Sequence, residues 1–235
     1  MTDHQGVIGI IGAMKEETDI LREWMDVSSV DTVAHADVYR GTLEGREIAL
    51  VESGIGKVNA SIITALIIDR YDIKIVVNTG VAGALSTALD VTDMVVSTNV
   101  LHHDADASEF GYEPGQLPGM PKFYIADKGL NKLALQAVKK NTEITGHSGL
   151  IVSGDAFVGS APQKGMITEK FRQALAVDME SAAIAQTCYQ HSTAFVIIRS
   201  ISDKADDTAD MSYNEFLSKA CIHSSEVVKS LLKDL

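Results

Sequence analysis

The segment Val7-Ile8-Gly9-Ile10-Ile11-Gly12 is apolar at every position that carries a side chain. A strand with one exposed face alternates apolar and polar residues, whereas a strand that is covered on both faces has no need to. The segment therefore predicts a strand inside a sheet that helices cover on both sides. An apolar helical stripe follows in residues 15–25, which is the order of elements in an α/β unit.

Strands and helices alternate along much of the remaining chain. Further strands are predicted at 73–78, 93–100, 147–152 and 194–201, and as a hairpin of 37–42 with 47–53. Helices are predicted at 58–71, 130–138, 179–188 and, from the capping-box pattern Ser212-x-x-Glu215, at the C-terminus. The fold class is therefore α/β, with three layers and a largely parallel sheet. We expect a single domain, 1–235, in which residues 1–6 form a short tail.

Composition and charge exclude several classes of function. Lys and Arg number 20 against 32 Asp and Glu, which gives a formal net charge of −12. Such a surface repels nucleic acids and anionic lipids, so neither is expected as a partner. Two cysteines are too few for a disulfide framework or a four-cysteine zinc site, and they suit the cytoplasm. Neither a signal peptide nor a membrane span is predicted, because the longest uncharged stretch, 181–198, contains polar residues throughout.

Two glycine-containing segments resemble nucleotide-binding loops but fail on spacing. Gly9-Ile10-Ile11-Gly12 lacks the third glycine of a dinucleotide fingerprint. Gly54-Ile55-Gly56-Lys57 would need glycine at position 51 and Ser or Thr at position 58, where the chain has Val51 and Val58. Neither an NAD-dependent enzyme nor an NTPase is therefore expected.

Metal and nucleophile signatures are equally incomplete. His102-His103-Asp104-Ala105-Asp106 carries metal-ligand residue types, but no further ligand pattern accompanies it, so a hydrogen-bonded loop is the preferred interpretation. The chain has no Gly-x-Ser-x-Gly nucleophile elbow. Cys188 lies on an apolar helical stretch, where burial is the expected role. We expect no metal and no cofactor.

Three carboxylates fall at or near the ends of predicted strands, where open sheets bind their ligands. Glu17 follows the first strand, Glu180 precedes an alanine-rich helix, and Asp203 directly follows 195–201. Each of them alone is explained by the preference of acidic residues for helix starts and turns. Together they also fit an acid/base site, and the spacing leaves both interpretations open.

Eight blocks resemble the bacterial 5′-methylthioadenosine/S-adenosylhomocysteine nucleosidases. They occur in the order of that family and cover nearly the whole chain: 8–17, 53–58, 78–83, 103–106, 110–119, 153–157, 177–185 and 199–203. The resemblance implies a nucleoside phosphorylase-like fold, in which helices flank a mixed central sheet, and a homodimer without cofactor or metal. It also implies hydrolysis of the bond between adenine N9 and ribose C1′, which releases adenine and a 5-thioribose product.

The resemblance further implies a role for each catalytic position. Asp203 matches the general acid that protonates purine N7, and Glu17 matches the general base that activates water. Glu180 matches the residue that accepts hydrogen bonds from the ribose hydroxyls. Arg199 matches the residue that helps to hold Glu17 and the water.

Substrate-binding positions are implied in the same way. The backbone of Val158 would bind the adenine edge, Phe157 would stack on the base, and Met179 would lie under the ribose. The remaining positions are Met14, Ile55 and Tyr213 near the sugar or thioalkyl group, Ala82, Gly83 and Ser202 in the pocket, and Phe110 and Pro118 reaching into the neighbouring subunit's 5′ pocket.

One position departs from the family pattern: Val81 stands where many members have serine. Some relatives with valine there also act on aminodeoxyfutalosine, so a futalosine-type nucleosidase stays open as an alternative. A nucleoside phosphorylase is a second alternative, although Glu17 would repel the phosphate. A nucleoside-binding protein without catalysis is a third, which the retention of Glu17, Glu180 and Asp203 disfavours.

Overall fold

The computed structural model describes residues 6–141 and 143–235. Apart from Gly6, the predicted tail at 1–6 lies outside the described residues. The strands are β1 (Ile8–Gly12), β2 (Asp26–Val33), β3 (Ala36–Leu43), β4 (Arg46–Glu52), β5 (Ile75–Ala84), β6 (Met94–His102), β7 (Tyr124–Ile125), β8 (Gly146–Ser153), β9 (Ala174–Asp178) and β10 (Ala194–Asp203). The helices are α1 (Lys15–Trp24), α2 (Lys57–Tyr71), α3 (Lys128–Lys140), α4 (Ala161–Lys170), α5 (Ser181–His191) and α6 (Ala209–Asp234). None of these helices combines the length and the hydropathy that crossing a membrane requires.

The strands form one mixed sheet that partly closes on itself. β1 lies between β4 and β5 and is parallel to both, while β4, β3 and β2 form an antiparallel meander on the outer side. On the other side, β5 is followed in turn by β10, β6, β8 and β9, and β9 pairs again with β5. Five strands therefore form a closed ring, which the sequence patterns do not predict.

Helices cover both faces of the sheet, as predicted from β1. Ile11 lies in a buried cluster with apolar residues of α2 and α5. Its neighbour Ile10 lies in a second cluster, with α1, α3 and α6. Both isoleucines are fully buried. Adjacent residues of a strand point to opposite faces, so a continuous apolar run is what a strand between two helical layers requires.

Three sequence predictions are corrected by the structure. The C-terminal helix begins at Ala209, and Ser212 lies within its first turn, where its N–H donates to the carbonyl of Thr208. The predicted capping box at Ser212 is therefore wrong. The strand predicted at 73–78 starts at Ile75 and runs on to Ala84, because β10 continues to pair with it. The sheet is mixed rather than largely parallel, since β2, β3 and β4 are antiparallel and β10 runs antiparallel to β6.

Candidate active site

A cavity of about 390 Å³ lies beside the ends of β1, β5, β9 and β10. Most of its wall is apolar, and four acidic residues, from separate parts of the chain, border it. The lining residues are Ala13, Met14, Glu17, Ile55, Val81, Ala82, Gly83, Phe157, Val177, Asp178, Met179, Glu180, Ser202, Asp203 and Tyr213. The structure therefore brings together the three carboxylates that the sequence singled out, although they lie up to 186 residues apart.

Glu17 lies in the first turn of α1 and is 3% exposed. Its Oε2 accepts hydrogen bonds from the backbone N–H of Ala13 (2.6 Å) and Met14 (3.2 Å), and its Oε1 accepts one from Val81 (3.0 Å). Burial raises the pKa of Glu17, while the charge of Arg199 and these N–H donors oppose the rise. A carboxylate with a raised pKa is a stronger base than an exposed glutamate.

Asp203 is the last residue of β10 and is 2% exposed. Its Oδ1 accepts the backbone N–H of Ala205, and its Oδ2 accepts the hydroxyl of Ser202, both at 2.8 Å. Burial raises the pKa of Asp203, and these two hydrogen bonds oppose the rise. A raised pKa is what a carboxylic acid needs in order to carry a proton near neutral pH.

Glu180 immediately precedes α5 and is 7% exposed. Its Oε1 accepts the backbone N–H of Gly56 at 2.8 Å. Burial, and secondly the negative charge of Asp178, raise the pKa of Glu180 to about 8, whereas Arg199 and the N–H of Gly56 lower it. The carboxylate therefore depends on nearby positive charge to stay ionised.

Arg199 lies on β10 behind the cavity wall and is 2% exposed. Its Nε donates to Asp178 Oδ2 and its Nη2 donates to Asn78 Oδ1, both at 2.6 Å. The ion pair of Arg199 is thus with Asp178. Glu17 is instead held by backbone N–H groups, and Arg199 influences it through charge.

The other predicted binding residues fall into two sets. Met14, Ile55, Ala82, Gly83, Phe157, Met179, Ser202 and Tyr213 line the cavity, and Val158 lines a smaller space of about 40 Å³ beside it. The phenol of Tyr213 contacts Met14 Sδ at 3.2 Å, and its ring packs edge-on against Phe157. Phe110 is 83% exposed and Pro118 is also exposed, both outside the set of lining residues.

Sequence reasoning missed two buried polar residues of the site, Asp178 and Asn78. Both lie in the quoted family blocks, and Asp178 adjoins Met179. Their signal was a polar side chain within an otherwise apolar strand, which requires a buried partner. Arg199 is that partner in both cases.

The histidine-rich loop is held by hydrogen bonds. Lys57 Nζ contacts both carboxylate oxygens of Asp104, at 2.6 and 2.8 Å, and His102 Nε2 lies 2.8 Å from Gln186 Oε1. Over residues 6–141 and 143–235, no group of three or more His, Cys, Asp or Glu side chains is placed to hold a metal ion.

Comparisons with known proteins show the family of the chain. The chain matches the sequence model of the Phosphorylase superfamily over residues 7–233. The 5′-methylthioadenosine/S-adenosylhomocysteine nucleosidase of Staphylococcus epidermidis is 47% identical over 229 residues, which cover 97% of this chain and 100% of that protein. The chain belongs to the 5′-methylthioadenosine/S-adenosylhomocysteine nucleosidase family.

Solved structures extend the family relationship to three dimensions. The 5′-methylthioadenosine/S-adenosylhomocysteine nucleosidase from Neisseria meningitidis, in complex with methylthio-immucillin-A, superposes with a TM-score of 0.96 at 43% identity, over 98% of this chain and 100% of that chain. The futalosine hydrolase of Helicobacter pylori superposes with a TM-score of 0.92 at 34% identity, over 98% of each chain. The predicted nucleoside phosphorylase-like fold is thereby confirmed for this member of the nucleosidase family.

Proposed function

We propose that the protein hydrolyses the N-glycosidic bond of 5′-methylthioadenosine and S-adenosylhomocysteine, releasing adenine and the 5-thioribose product. The observation that carries the proposal is the meeting of Glu17, Glu180 and Asp203 around one cavity. Family membership at 47% identity over nearly the whole chain supports it. The chemistry as proposed needs no metal or cofactor, because carboxyl groups move the protons.

Two carboxyl groups would drive the reaction from opposite sides of the scissile bond. Asp203 would protonate purine N7, so that adenine leaves as a neutral base. Glu17 would take a proton from the water that attacks C1′. The raised pKa of each group suits its role, and positioned acid or base groups typically contribute about 10²–10⁴-fold each. The arrangement follows the logic of inverting glycosidases.

Glu180 would accept hydrogen bonds from the ribose hydroxyls. In its ionised form Glu180 would also stabilise the positive charge that develops on the sugar as the bond breaks. Arg199 lowers the pKa of Glu180 as well as that of Glu17, and so favours their ionised forms.

The other residues of the cavity would bind the substrate. Phe157 and the backbone of Val158 would hold adenine, with Ser202 beside Asp203. Met179 would lie under the ribose. Met14, Ile55 and Tyr213 would surround the sugar and the thioalkyl group, and Ala82 and Gly83 would contribute backbone contacts.

The test is to incubate the purified protein with each nucleoside, with and without phosphate, and to measure free adenine. Adenine release from both substrates without phosphate is the expected result. Release that depends strictly on phosphate would establish a phosphorylase instead. Tight nucleoside binding with no adenine formed over hours would establish a binding protein.

A futalosine-type substrate is a second candidate function. The similarity to the Helicobacter pylori futalosine hydrolase favours it. Val81 contacts Glu17 through its backbone N–H. A valine side chain at position 81 therefore leaves this contact intact. Comparison of kcat/KM for aminodeoxyfutalosine and methylthioadenosine ranks the two activities.

We also propose that the protein acts as a homodimer in the cytoplasm. Val58, Ile62 and Leu66 occupy one face of α2 and are 68%, 44% and 40% exposed, which is unusual for a run of apolar residues at helical spacing. Phe110 and Pro118 of one copy would complete the 5′ pocket of the other. Both cysteines are buried and outside disulfides, as a reducing compartment allows. Sedimentation of the parent and of Ile62→Glu checks the dimer: the parent should sediment as a dimer and the variant as a monomer.

A further inference from the structure

Asp178, the last residue of β9, receives donors from several elements at once. Arg199 Nε (2.6 Å), Ser153 Oγ (2.5 Å) and Ser181 Oγ donate to its carboxylate, as do the backbone N–H groups of Ser181 (3.2 Å) and Glu180 (3.3 Å). The side chain is 2% exposed. β8, α5 and β10 are thereby tied to one carboxylate at the end of β9.

The acceptor positions of Asp178 are already taken by these donors, because a carboxylate offers about four lone-pair sites. It therefore has no free acceptor to offer a substrate, although part of the residue borders the cavity. Its influence on the reaction must pass through the groups that it holds.

The first of these groups is Arg199. Its Nε donates to Asp178 and its Nη2 donates to Asn78, so the plane of the guanidinium is fixed. Nη1 is bonded to neither of these two residues. Nη1 lies 3.0 Å from the point that a Cβ on Gly80 would occupy, and Glu17 Oε1 lies closer still to that point. Arg199 Nη1 and Glu17 Oε1 thus both border the space that a side chain at position 80 would occupy, and glycine leaves that space to them.

The second group is the start of α5. Asp178 accepts the N–H of Glu180 and both the N–H and the hydroxyl of Ser181. These contacts fix the backbone from which the Glu180 side chain reaches the N–H of Gly56.

We propose that Asp178 is a positioning residue, which directs Arg199 toward Glu17 and sets the placement of Glu180. This inference rests on the proposed hydrolysis, because it assigns Asp178 to the same reaction. Asp178 itself touches neither the substrate nor the attacking water.

Loss of the charge of Asp178 should change the pH dependence of the reaction, which a loss of stability alone would not do. Burial raises the pKa of Glu180 most, followed by the charge of Asp178 from β9. Arg199 from β10 and the N–H of Gly56 at α2 lower it, and Glu17 from α1 adds a smaller rise. Asp178→Asn removes one negative charge and leaves the charge of Arg199 uncompensated. The pKa values of Glu180 and Glu17 should both fall, and the acidic limb of the kcat/KM profile should move to lower pH.

The experiment measures adenine release by the full-length protein and its Asp178→Asn variant from pH 4 to pH 9. We expect kcat to fall about 10²-fold through misplacement of the reacting groups, with the acidic limb displaced downward. Affinity for free adenine, measured by calorimetry, should stay nearly unchanged. Val138→Ala, a fully buried change on α3, serves as the destabilised control and should keep the parent profile.

A double-mutant cycle with Arg199→Gln decides whether Asp178 acts through Arg199. If it does, the loss caused by Asp178→Asn should be smaller in the Arg199→Gln background than in the parent, and the loss that remains there reports the placement of Glu180. The double variant removes both members of the Asp178–Arg199 ion pair, so neither is left buried without the other, and a further loss relative to Arg199→Gln alone is measurable even where Asp178→Asn does not fold. Independent, multiplicative losses, or an Asp178→Asn profile that matches the parent, would overturn the inference. A parent that releases no adenine would overturn the proposed function and this inference with it.

Discussion

The backbone N–H of Gly56 donates a 2.8 Å hydrogen bond to Glu180 Oε1, across 124 residues of sequence. The next N–H of the same helix start, that of Lys57, donates to Asp155 Oδ1 at 2.7 Å. The N-terminus of α2 therefore holds two carboxylates from two other loops. Helix N-termini favour negative charge, so this contact lowers the pKa of Glu180 and opposes the effect of burial.

Burial of Glu180 predicts a conflict between stability and activity. Its pKa in the folded protein is about 8, so the folded form holds a proton that the unfolded chain has already lost above its ordinary value of 4.5. Stability from this group is therefore present at low pH and is lost as pH rises toward 8. Glu180→Gln should raise the unfolding temperature by about 3–6 °C at pH 8 and by less at pH 5, while adenine release is lost.

Thermal unfolding at the two pH values checks this prediction. Glu23→Gln on the exposed side of α1 changes the same residue type and should leave the unfolding temperature nearly unchanged. Equal shifts for Glu180→Gln at pH 5 and pH 8 would contradict the assignment of the raised pKa.

The acid role of Asp203 predicts a loss of turnover without a loss of binding. Asp203→Asn keeps the shape of the side chain but cannot supply a proton to the purine. We expect kcat to fall by about 10²–10⁴-fold, with adenine affinity largely retained. Asp210→Asn, an exposed change seven residues further on, is the matched control. Near-parental turnover in Asp203→Asn would remove the residue from this role.

The base role of Glu17 is tested by two neighbouring glutamates. Glu17→Gln removes the group that would take a proton from water, and we expect kcat to fall by about 10²–10⁴-fold. Glu16→Gln, an exposed change in the same helical turn, should be silent. Adenine release is measured for both variants. Equal losses of kcat would mean that the negative charge at the start of α1 matters in general, and that Glu17 is not a specific base.

Glu17 and Arg199 both border the space beside Gly80, which predicts that this position tolerates no side chain. An added Cβ would clash with Glu17 and meet Arg199 Nη1 at 3.0 Å. Gly80→Ala should therefore lower kcat by about 10²-fold, since it displaces the base. The control is Gly165→Ala on α4, where an added Cβ meets nothing within 4 Å. That change should keep activity and add about 0.5–1 kcal/mol of stability, which chemical denaturation measures.

Much of the fold and of the site could be predicted from residue pattern. The uninterrupted apolar run of β1 correctly indicated two helical layers. The three strand-end carboxylates lie around one cavity, although their spacing alone left a role at helix starts equally open. β2 escaped prediction because it is a polar, exposed edge strand whose stability comes from pairing with β3. The Ser212 capping box failed because the backbone enters α6 one turn earlier, at Thr208.

The contribution of Asp178 could not be predicted in the same way. An aspartate at a strand end is compatible with a cap, a ligand or an ion pair, and its meaning depends on Arg199, which lies 21 residues away. Likewise, the ring of strands closes through contacts between β5 and β9 that leave no local periodic signal.

The pairing of β5 with β9, which closes the ring, is also the shortest strand pairing in it. β5 and β9 share only the pairs Gly83 with Val177 and Ala84 with Ala176, whereas β5 and β10 stay paired along most of their lengths. Gly83 and Val177 both border the cavity, so the β5–β9 pairing forms part of its wall. A nucleoside that contacts both β5 and β9 would hold the two strands together. The backbone amides of these strand ends should then exchange with deuterium more slowly when the ligand is present.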